Sequence, residues 1–345
     1  EMLEALGVKT SRTLSLFETG EKLHRGDEPS PTRSSVLVRL GHSHVRFGTF
    51  QRLAYVNGKD GKRGDAEGLA TLVDYSIRTY FPDLASKTGD DRAVAFLDRV
   101  VDNSAKLAAE WMTAGFVHGV LNTDNMTITG DSFDYGPFRF VPTFDPDFVA
   151  AYFDHTGLYA FGKQPEVVSW NLGRLADALR TLAPSASFDV PIAAYEERYE
   201  DALTERTLVR LGVAARDPDA DRALAMAAWG FLEASKVGFE QLFFDVYGGQ
   251  ARAGRALSGP AKDFYEGPAW ETLRDRLARY EPRTAKAVAD PYFQCDSPTT
   301  LLIDEIEWIW TNIAAKDDWT ALHAKVADIR AMGAVLDPTF VRRLV

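Results

Sequence analysis

The residues best suited to chemistry lie in a short stretch from His118 to Asn125, which is followed by Asp134 at the head of an Asp-Tyr-Gly sequence. A His-Gly turn comes first, then the pair Asp124 and Asn125, and a short apolar run leads to Asp134. Carboxylate and amide oxygens are suitable ligands for a hard divalent cation. A carboxylate also orients or deprotonates an attacking hydroxyl in phosphoryl transfer, which needs little other chemistry from the protein. The stretch therefore indicates a site for a nucleotide and a metal ion.

The same stretch matches the spacing of the protein-kinase catalytic motifs except at one position. Kinases use His-Arg-Asp-x-x-x-x-Asn followed by Asp-Phe-Gly, in which the Asn and the second Asp hold metal ions. With His118 as the anchor, Asn125 falls on the kinase Asn and Asp134 on the second Asp. The kinase catalytic Asp falls on Val120, which cannot accept a proton. The chain is therefore either an inactive kinase or an enzyme with a relocated base, for which Asp124 is the candidate.

The stretch and its flanks resemble the selenoprotein O family, which consists of kinase-like protein adenylyltransferases. The resemblance lies in HGVLNTDNMTITGDSFDYGPF from His118, in VLVRLGHSHVRFGTFQ at residues 36–51, and in residues 145–179. It implies an enzyme that moves AMP from ATP to Ser, Thr or Tyr hydroxyls of proteins with the help of Mg²⁺ or Mn²⁺. It also implies a nucleotide that lies reversed relative to its pose in a kinase, so that the α-phosphate faces the acceptor.

The resemblance also assigns roles to individual residues of this chain. It implies Asp124 as the base, Asn125 and Asp134 as metal ligands with Asp134 also holding the nucleotide, Arg39 and Arg46 on the phosphates, and Glu1 beside an ATP-binding Lys. A guanidinium donates two hydrogen bonds to phosphate oxygens, which suits Arg39 and Arg46 to that role. Their spacing alone fits surface or ion-pair arginines equally well, so the assignment depends on the resemblance.

The nucleotide site of the family includes parts that have no match in this sequence. In the family, a glycine-rich region, the Lys and a further Arg precede the helix that Glu1 matches. Without them ATP is held from one side, so we expect this chain by itself to be weakly active or inactive. A non-catalytic pseudokinase module that only binds is one alternative. A kinase-like phosphotransferase is another, since antibiotic kinases share a similar loop, but Val120 stands where their catalytic Asp should be.

The charge balance bears on the partners. The 345 residues include 39 basic and 50 acidic side chains, for a formal net charge of −11. This acidic balance argues against nucleic acid or an anionic membrane surface as the main partner. The expected partners are therefore ATP and protein substrates that carry hydroxyl side chains.

The cysteine and hydropathy patterns bear on the location. The single cysteine, Cys295, excludes an intrachain disulfide and a Cys-rich metal site, and it favours a reducing compartment. The C-terminal redox-active residue of the family has no match. No apolar run is long enough to span a membrane, and the N-terminus shows no signal peptide. The expected location is the cytoplasm, or the mitochondrion for a eukaryotic family member.

The predicted fold class is α+β, with a protein-kinase-like arrangement of a small, incomplete β-containing N-lobe and a large, mainly helical C-lobe. The predicted domains are a partial N-lobe at 1–54, with a helix end and strands at 11–17 and 34–41, and a C-lobe at 65–345, with a catalytic loop at 118–125 and a metal motif at 134–137. The predicted helices of the C-lobe are 67–81, 91–115, 165–182, 190–213, 219–235, 237–247, 269–281, 301–314 and 318–332.

Four local predictions complete the sequence reading. Gly7 is expected to cap the first helix, and residues 57–68 to form a mobile surface loop. A small hairpin after Asn125 is expected to bring Asp134 back beside it, with Asp131 as a turn residue of no metal role. Aromatic residues at helical spacing usually belong to the core. On that ground we expect the core to contain Trp170, Trp229, Trp270, Trp308 and Trp310.

Overall fold

Helices make up most of the chain in a computed structural model that describes residues 1–26, 30–56 and 64–337. Within these ranges the α-helices are α1 (Met2–Ala5), α2 (Phe47–Tyr55), α3 (Ala66–Tyr80), α4 (Gly89–Thr113), α5 (Gln164–Arg180), α6 (Asp189–Arg210), α7 (Pro218–Ser235), α8 (Phe239–Asp245), α9 (Ala253–Ser258), α10 (Gly267–Leu277), α11 (Ala285–Val288), α12 (Ile303–Lys316) and α13 (Thr320–Leu336). The strands are β1 (Arg12–Leu23), β2 (Thr32–Leu40), β3 (Phe116–Val117) and β4 (Arg139–Phe140). The class is α+β and mainly helical, as predicted. The kinase-like arrangement and the domain boundaries stay predictions.

Each predicted C-lobe helix has a counterpart whose ends differ by a few residues. Helix α4 shows why these helices could be predicted, because its predicted apolar stripe is buried along its whole length. Its members are Ala93, Leu97, Val100, Ser104, Ala108 and Met112. Such periodicity specifies both the helix and the face that packs. Helix α4 packs chiefly against α6 and α5, and its end leads directly into the strand before His118.

The two-stranded ribbon of β1 and β2 is antiparallel and longer than predicted. Arg12 pairs with Leu40 at one end and Leu23 with Thr32 at the other. The predicted linker between the strands therefore continues the ribbon through an irregularity between Glu18 and Lys22. Just before the ribbon, Gly7 follows α1 with a φ of 79°, which confirms the predicted helix cap.

Helix α2 was not expected from the sequence, and it connects the ribbon to the helical core. Its residues Phe47, Phe50 and Ala54 are buried, the helix packs mainly against α5, and the rings of Phe50 and Phe96 of α4 lie 5.5 Å apart. Short helices give a weak periodic signal, and Gly48 in the first turn weakens it further. The missed helix lies directly beside the predicted catalytic loop.

The catalytic loop is attached to two hydrophobic clusters. One is built mainly around α2 to α5 and includes Phe116, and the other is built around α6 to α10 and includes Val117. Adjacent residues of a strand point to opposite sides. Each cluster therefore holds the start of the loop from one side.

The prediction of a hairpin between Asn125 and Asp134 is wrong, because Thr127 bridges to Arg46 and Ser132 bridges to Thr10. Partners from distant segments thus take the backbone groups that a hairpin would have paired internally.

The prediction of five core tryptophans is confirmed in part. Trp270 is buried and Trp229 packs half-buried against the core. The prediction is wrong for the other three, which are exposed: Trp170, Trp308 and Trp310.

The predicted mobile loop at residues 57–68 is only partly described. Residues 57–63 of the predicted mobile loop lie outside the described residues. The remainder leads into α3, where the Asp65 carboxylate accepts a hydrogen bond from the backbone of Gly68.

Within the described ranges, no helix is both long and apolar enough to cross a membrane.

Candidate active site

His118 fixes the backbone that carries Asp134. Its side chain is fully buried, and its Nε2 donates to the carbonyl oxygen of Phe133 over 3.0 Å. Burial lowers the pKa of His118 below its usual value. The imidazole is therefore neutral at neutral pH, so it serves as a hydrogen-bond donor in the core and not as an acid or base for the reaction.

Gln164 at the start of α5 holds the backbone on both sides of the catalytic-loop entrance. Its Oε1 accepts from the backbone N–H of His118 at 2.9 Å, and its Nε2 donates to the Phe116 carbonyl at 2.9 Å. Farther along α5, Asn171 donates to the Leu121 carbonyl at 2.8 Å. Both amides are fully buried, so their bonds are not weakened by competition with water. The sequence reading did not identify either residue.

Asn125 and Asp134 come together as predicted. The Asn125 amide donates to Asp134 Oδ2 over 3.2 Å, while its Oδ1 accepts from the Asn122 backbone at 3.1 Å. Asp134 has a φ of 57°, in the left-handed region that few residues other than glycine adopt, although Asp and Asn tolerate it best. The turn that this conformation makes presents the carboxylate to Asn125.

Arg46 lies on the same carboxylate. Its Nη1 is 3.4 Å from Asp134 Oδ2, and its guanidinium lies 4.9 Å from the centre of the Phe133 ring. The backbone around it is tied to the catalytic loop, since Phe47 donates to the Met126 carbonyl at 3.0 Å. Asp134 therefore has a cationic neighbour that is held by main-chain hydrogen bonds.

Arg39 reaches the same region from the end of β2. Its guanidinium lies 4.9 Å from the centre of the Tyr135 ring, whereas Arg46 lies over Phe133. The two predicted phosphate ligands thus stack on the rings that precede and follow Asp134. This placement brings two guanidinium groups into one region of an acidic protein.

Glu1 lines a cavity with Arg39 but binds another partner. The cavity has a volume of about 180 Å³ and is also lined by Tyr135 and Phe138. The Glu1 carboxylate pairs with Arg330 of α13, with oxygen–nitrogen distances of 2.7 and 3.0 Å. The hydrogen bond from Arg330 lowers the pKa of Glu1 below its ordinary value. The predicted role of Glu1 beside an ATP-binding Lys stays a prediction.

Asp124 is exposed, and its carboxylate makes no hydrogen bond or ion pair with any residue in the described ranges. It lies against Gly48 in the first turn of α2, where an added Cβ would fall well inside contact distance of Oδ1. Nearby, Thr123 donates to the Gln51 side chain over 2.5 Å. Helix α2 thus borders the proposed base, and a larger residue at Gly48 would push the Asp124 carboxylate from its present position.

Asp131, the neighbouring alternative, has a structural role. Its side chain is buried and accepts from Thr129 at 2.5 Å, and it lies 3.4 Å from the ammonium of Lys9. Its carboxylate is therefore already paired within the fold. The reading of Asp131 as a turn residue agrees with this position.

The carboxylate of Asp134 fits a divalent cation of the Mg²⁺ type, whereas Asn125 would have to turn its amide oxygen from the Asn122 backbone to join it. Asp134 Oδ2 accepts from Asn125 and Arg46, while its Oδ1 takes no hydrogen bond from the described residues. Across the described ranges, no group of three or more His, Cys, Asp or Glu side chains is arranged to hold a metal. One carboxylate and one amide suit Mg²⁺, which keeps water ligands and binds substrate phosphates alongside few protein ligands.

Comparison with known proteins agrees with the motifs. Residues 1–330 match the family described as protein adenylyltransferase SelO. The protein nucleotidyltransferase YdiU of Synechocystis sp. is 41% identical in an alignment of 344 positions that covers 96% of this chain and 70% of that protein. The corresponding protein of Gloeobacter violaceus is 40% identical over 97% of this chain and 69% of its own length. The one of Myxococcus xanthus is 35% identical over 83% of this chain and 55% of its own length.

Proposed function

The chain belongs to the family of SelO protein adenylyltransferases, and on that premise we propose that it transfers AMP from ATP to Ser, Thr or Tyr hydroxyls of other proteins. One observation carries the proposal beyond family membership. The carboxylate of Asp134 meets Asn125 at 3.2 Å and Arg46 at 3.4 Å, with the accessible carboxylate of Asp124 one residue before Asn125 in the chain. This arrangement brings a carboxylate suited to a cation and a guanidinium suited to phosphate together with the loop that carries a carboxylate suited to act as the base.

The proposed reaction is an in-line displacement at the α-phosphorus of ATP. The acceptor hydroxyl oxygen forms a bond to that phosphorus, the bond to the bridging oxygen of the pyrophosphate breaks, and pyrophosphate leaves. The hydroxyl proton passes to Asp124, which has no competing partner among the described residues. Correct orientation of the attacking oxygen supplies much of the rate in such transfers.

Arg39 and Arg46 hold the phosphates in this proposal. Each guanidinium already rests on an aromatic ring, which limits its freedom before ATP binds. The reversed pose of the nucleotide, with the α-phosphate towards the acceptor, is a proposal from the family. A bound Mg²⁺ or Mn²⁺, held by Asn125 and Asp134, would neutralise charge on the phosphate oxygens.

The test is the intact mass of candidate protein substrates after incubation with this chain, ATP and Mg²⁺ or Mn²⁺. At the low rate expected of this chain by itself, we expect a gain of one AMP that disappears with Asp124→Ala and persists with the control Asp263→Ala, which removes an exposed carboxylate elsewhere. A gain of one phosphate instead would establish the kinase-like alternative. No gain under any condition would contradict transfer by this chain and leave an inactive chain or the pseudokinase alternative, which the same assay on a full-length relative separates.

Two predictions remain attached to this proposal. The same assay tests whether this chain by itself is weakly active, through comparison of its rate with that of a full-length relative. Cytoplasmic location stays a prediction, which cell fractionation of the source organism would test.

A further inference from the structure

The chain that follows the Asp-Tyr-Gly sequence closes into a loop of fixed shape, residues 148–161. The backbone N–H of Phe161 donates to the Phe148 carbonyl at 2.9 Å and closes its base. Inside the loop, the Asp154 carboxylate accepts from the backbones of Leu158 at 2.8 Å and Tyr159 at 2.7 Å. These bonds satisfy the local backbone, so the exposed side chains sit on an ordered support.

The loop presents apolar side chains to solvent. Tyr152, Phe153 and Leu158 are 61%, 49% and 51% exposed, and the rings of the first two lie 5.3 Å apart. A single exposed apolar residue is ordinary, whereas a group on one ordered loop marks an interaction surface.

The loop borders the proposed site. Ala150 lies against the catalytic loop, since a Cβ placed on Gly119 would be 3.3 Å from the Ala150 Cβ. The Tyr159 hydroxyl donates to Asn122 Oδ1 at 2.8 Å, two residues before Asp124. A molecule on the loop would therefore lie next to the proposed base, where an acceptor hydroxyl has to arrive.

The charges at the base of the loop favour a basic partner. Asp145, Asp147 and Glu166 are exposed there and outnumber the two neighbouring lysines, Lys163 and Lys236, the second of which donates to the Phe144 carbonyl. The Asp154 carboxylate is occupied by backbone N–H groups and adds little to recognition. The surface thus combines apolar contacts with an acidic rim, and complementary charge steers a partner to such a surface.

We propose that the 148–161 loop binds the acceptor segment of the protein substrate, an extended stretch with an apolar side chain that packs on Phe153 and Leu158. Lys or Arg residues of that segment lie near Asp145 and Asp147, and its hydroxyl residue reaches Asp124. This inference rests on the proposed function, but its test does not require transfer.

The experiment measures fluorescence anisotropy of short labelled peptides bound to the chain without nucleotide. One peptide carries a central Ser flanked by Leu, Phe and Arg, and the matched peptide carries Gly and Asp in their place. The double variant Phe153→Ala/Leu158→Ala should raise the Kd of the first peptide by about ten-fold or more, the scale expected for loss of two apolar contacts. The control Val190→Ala/Met226→Ala removes side chains that are 74% and 69% exposed elsewhere and should leave the Kd unchanged.

A second variant tests the charge complementarity without removing any apolar group. Asp147→Lys should raise the Kd of the Arg-containing peptide. The ratio between the Kd values of the matched peptide and the Arg-containing peptide should therefore become smaller. Circular dichroism checks that the variants fold.

The outcomes separate this proposal from the proposed function. Loss of binding in the loop variant supports the docking surface even if no peptide gains AMP. Equal Kd values for the chain and its loop variant, or no binding of the first peptide, overturn it even if AMP transfer is observed. A concentration-dependent dimer in sedimentation that the loop variant abolishes would also overturn it, because the occupant would be a second copy of the chain.

Discussion

The catalytic loop and the β1–β2 ribbon contribute to the same site but are supported very differently. The loop lies between two hydrophobic clusters, and its anchor His118 is fully buried. The ribbon carries Arg39, yet its apolar side chains face solvent, with Phe17 66% and Leu40 57% exposed. The loop that carries the proposed base and a proposed metal ligand is thus held by the core, whereas one proposed phosphate ligand depends on a weakly supported element. On the proposed function, pre-organisation is greater on the side of the base than on the side of Arg39.

Replacing one phenylalanine in each region tests this contrast most directly. Phe96→Ala removes a fully buried ring beneath α2 and should lower the free energy of unfolding by about 3–5 kcal/mol. Phe17→Ala on the ribbon should change it by no more than about 0.5 kcal/mol. Urea denaturation measures both. A comparable loss in the two variants would show that the ribbon is packed as tightly as the core.

The second prediction separates the functions of two carboxylates within the well-supported loop. Asp124→Ala should lower the rate of AMP transfer by about 10²–10⁴-fold, the usual contribution of a general base. It should leave the affinity for Mn²⁺ and a non-hydrolysable ATP analogue unchanged. Asp134→Ala should lose both binding and transfer, because it removes the carboxylate that Arg46 and Asn125 contact. Calorimetric titration that finds equal loss of affinity would refute this division of roles.

The third prediction concerns the contact between α2 and the proposed base. Gly48→Ala places a Cβ against the Asp124 carboxylate and should lower the transfer rate by roughly ten-fold, since small displacements of a catalytic group are costly. Gly230→Ala is the matched control, because a Cβ there meets nothing within 4 Å. The control should be neutral or slightly stabilising in its helix. A lower steady-state rate of transfer in Gly48→Ala, with unchanged nucleotide affinity, would confirm that the position of Asp124 is the cause. An unchanged rate in Gly48→Ala would refute it.

The smallest expected effect is that of the ion pair between Glu1 and Arg330. Arg330→Ala should cost less than about 1 kcal/mol at neutral pH, because both partners are accessible to solvent. The pKa of Glu1 is lowered in the folded protein from its ordinary value of 4.5. The contribution is therefore present above pH 4.5 and disappears as the pH falls through the folded-state pKa. Unfolding curves at several pH values would show that the difference in the free energy of unfolding between the unsubstituted chain and Arg330→Ala becomes smaller on acidification. A difference that becomes larger would contradict the assignment.

Much of the helical fold could be predicted from the sequence, and the reasons for the failures are physical. Long helices such as α4 repeat the same apolar stripe over many turns, so their type and buried face follow from periodicity. The exposed faces of Trp308 and Trp310 show the limit of that argument, since periodicity does not tell whether another element covers a face. The expected hairpin failed because Thr127 pairs with a segment far away in the sequence.

The candidate site also contains residues whose arrangement could be predicted from the sequence and residues whose contribution could not. The proximity of Asn125 and Asp134 could be predicted, because both follow from spacing within one short segment. The contributions of Gly48 and Gln164 could not, since each depends on a tertiary contact with a distant element. Sequence spacing thus indicated the groups suited to the reaction but not the residues that position them.

The contact between Arg46 and Asp134 has a consequence for the charge balance of the site. In the free protein the guanidinium is the counter-ion of the Asp134 carboxylate. A divalent cation bound to Asp134, as proposed, would free that guanidinium for the phosphate groups of the nucleotide. One positive group would then replace another on the carboxylate, and the displaced guanidinium would neutralise the incoming anion. Such an exchange of partners would leave neither charge unpaired, which avoids the penalty of an isolated charge in a partly buried site.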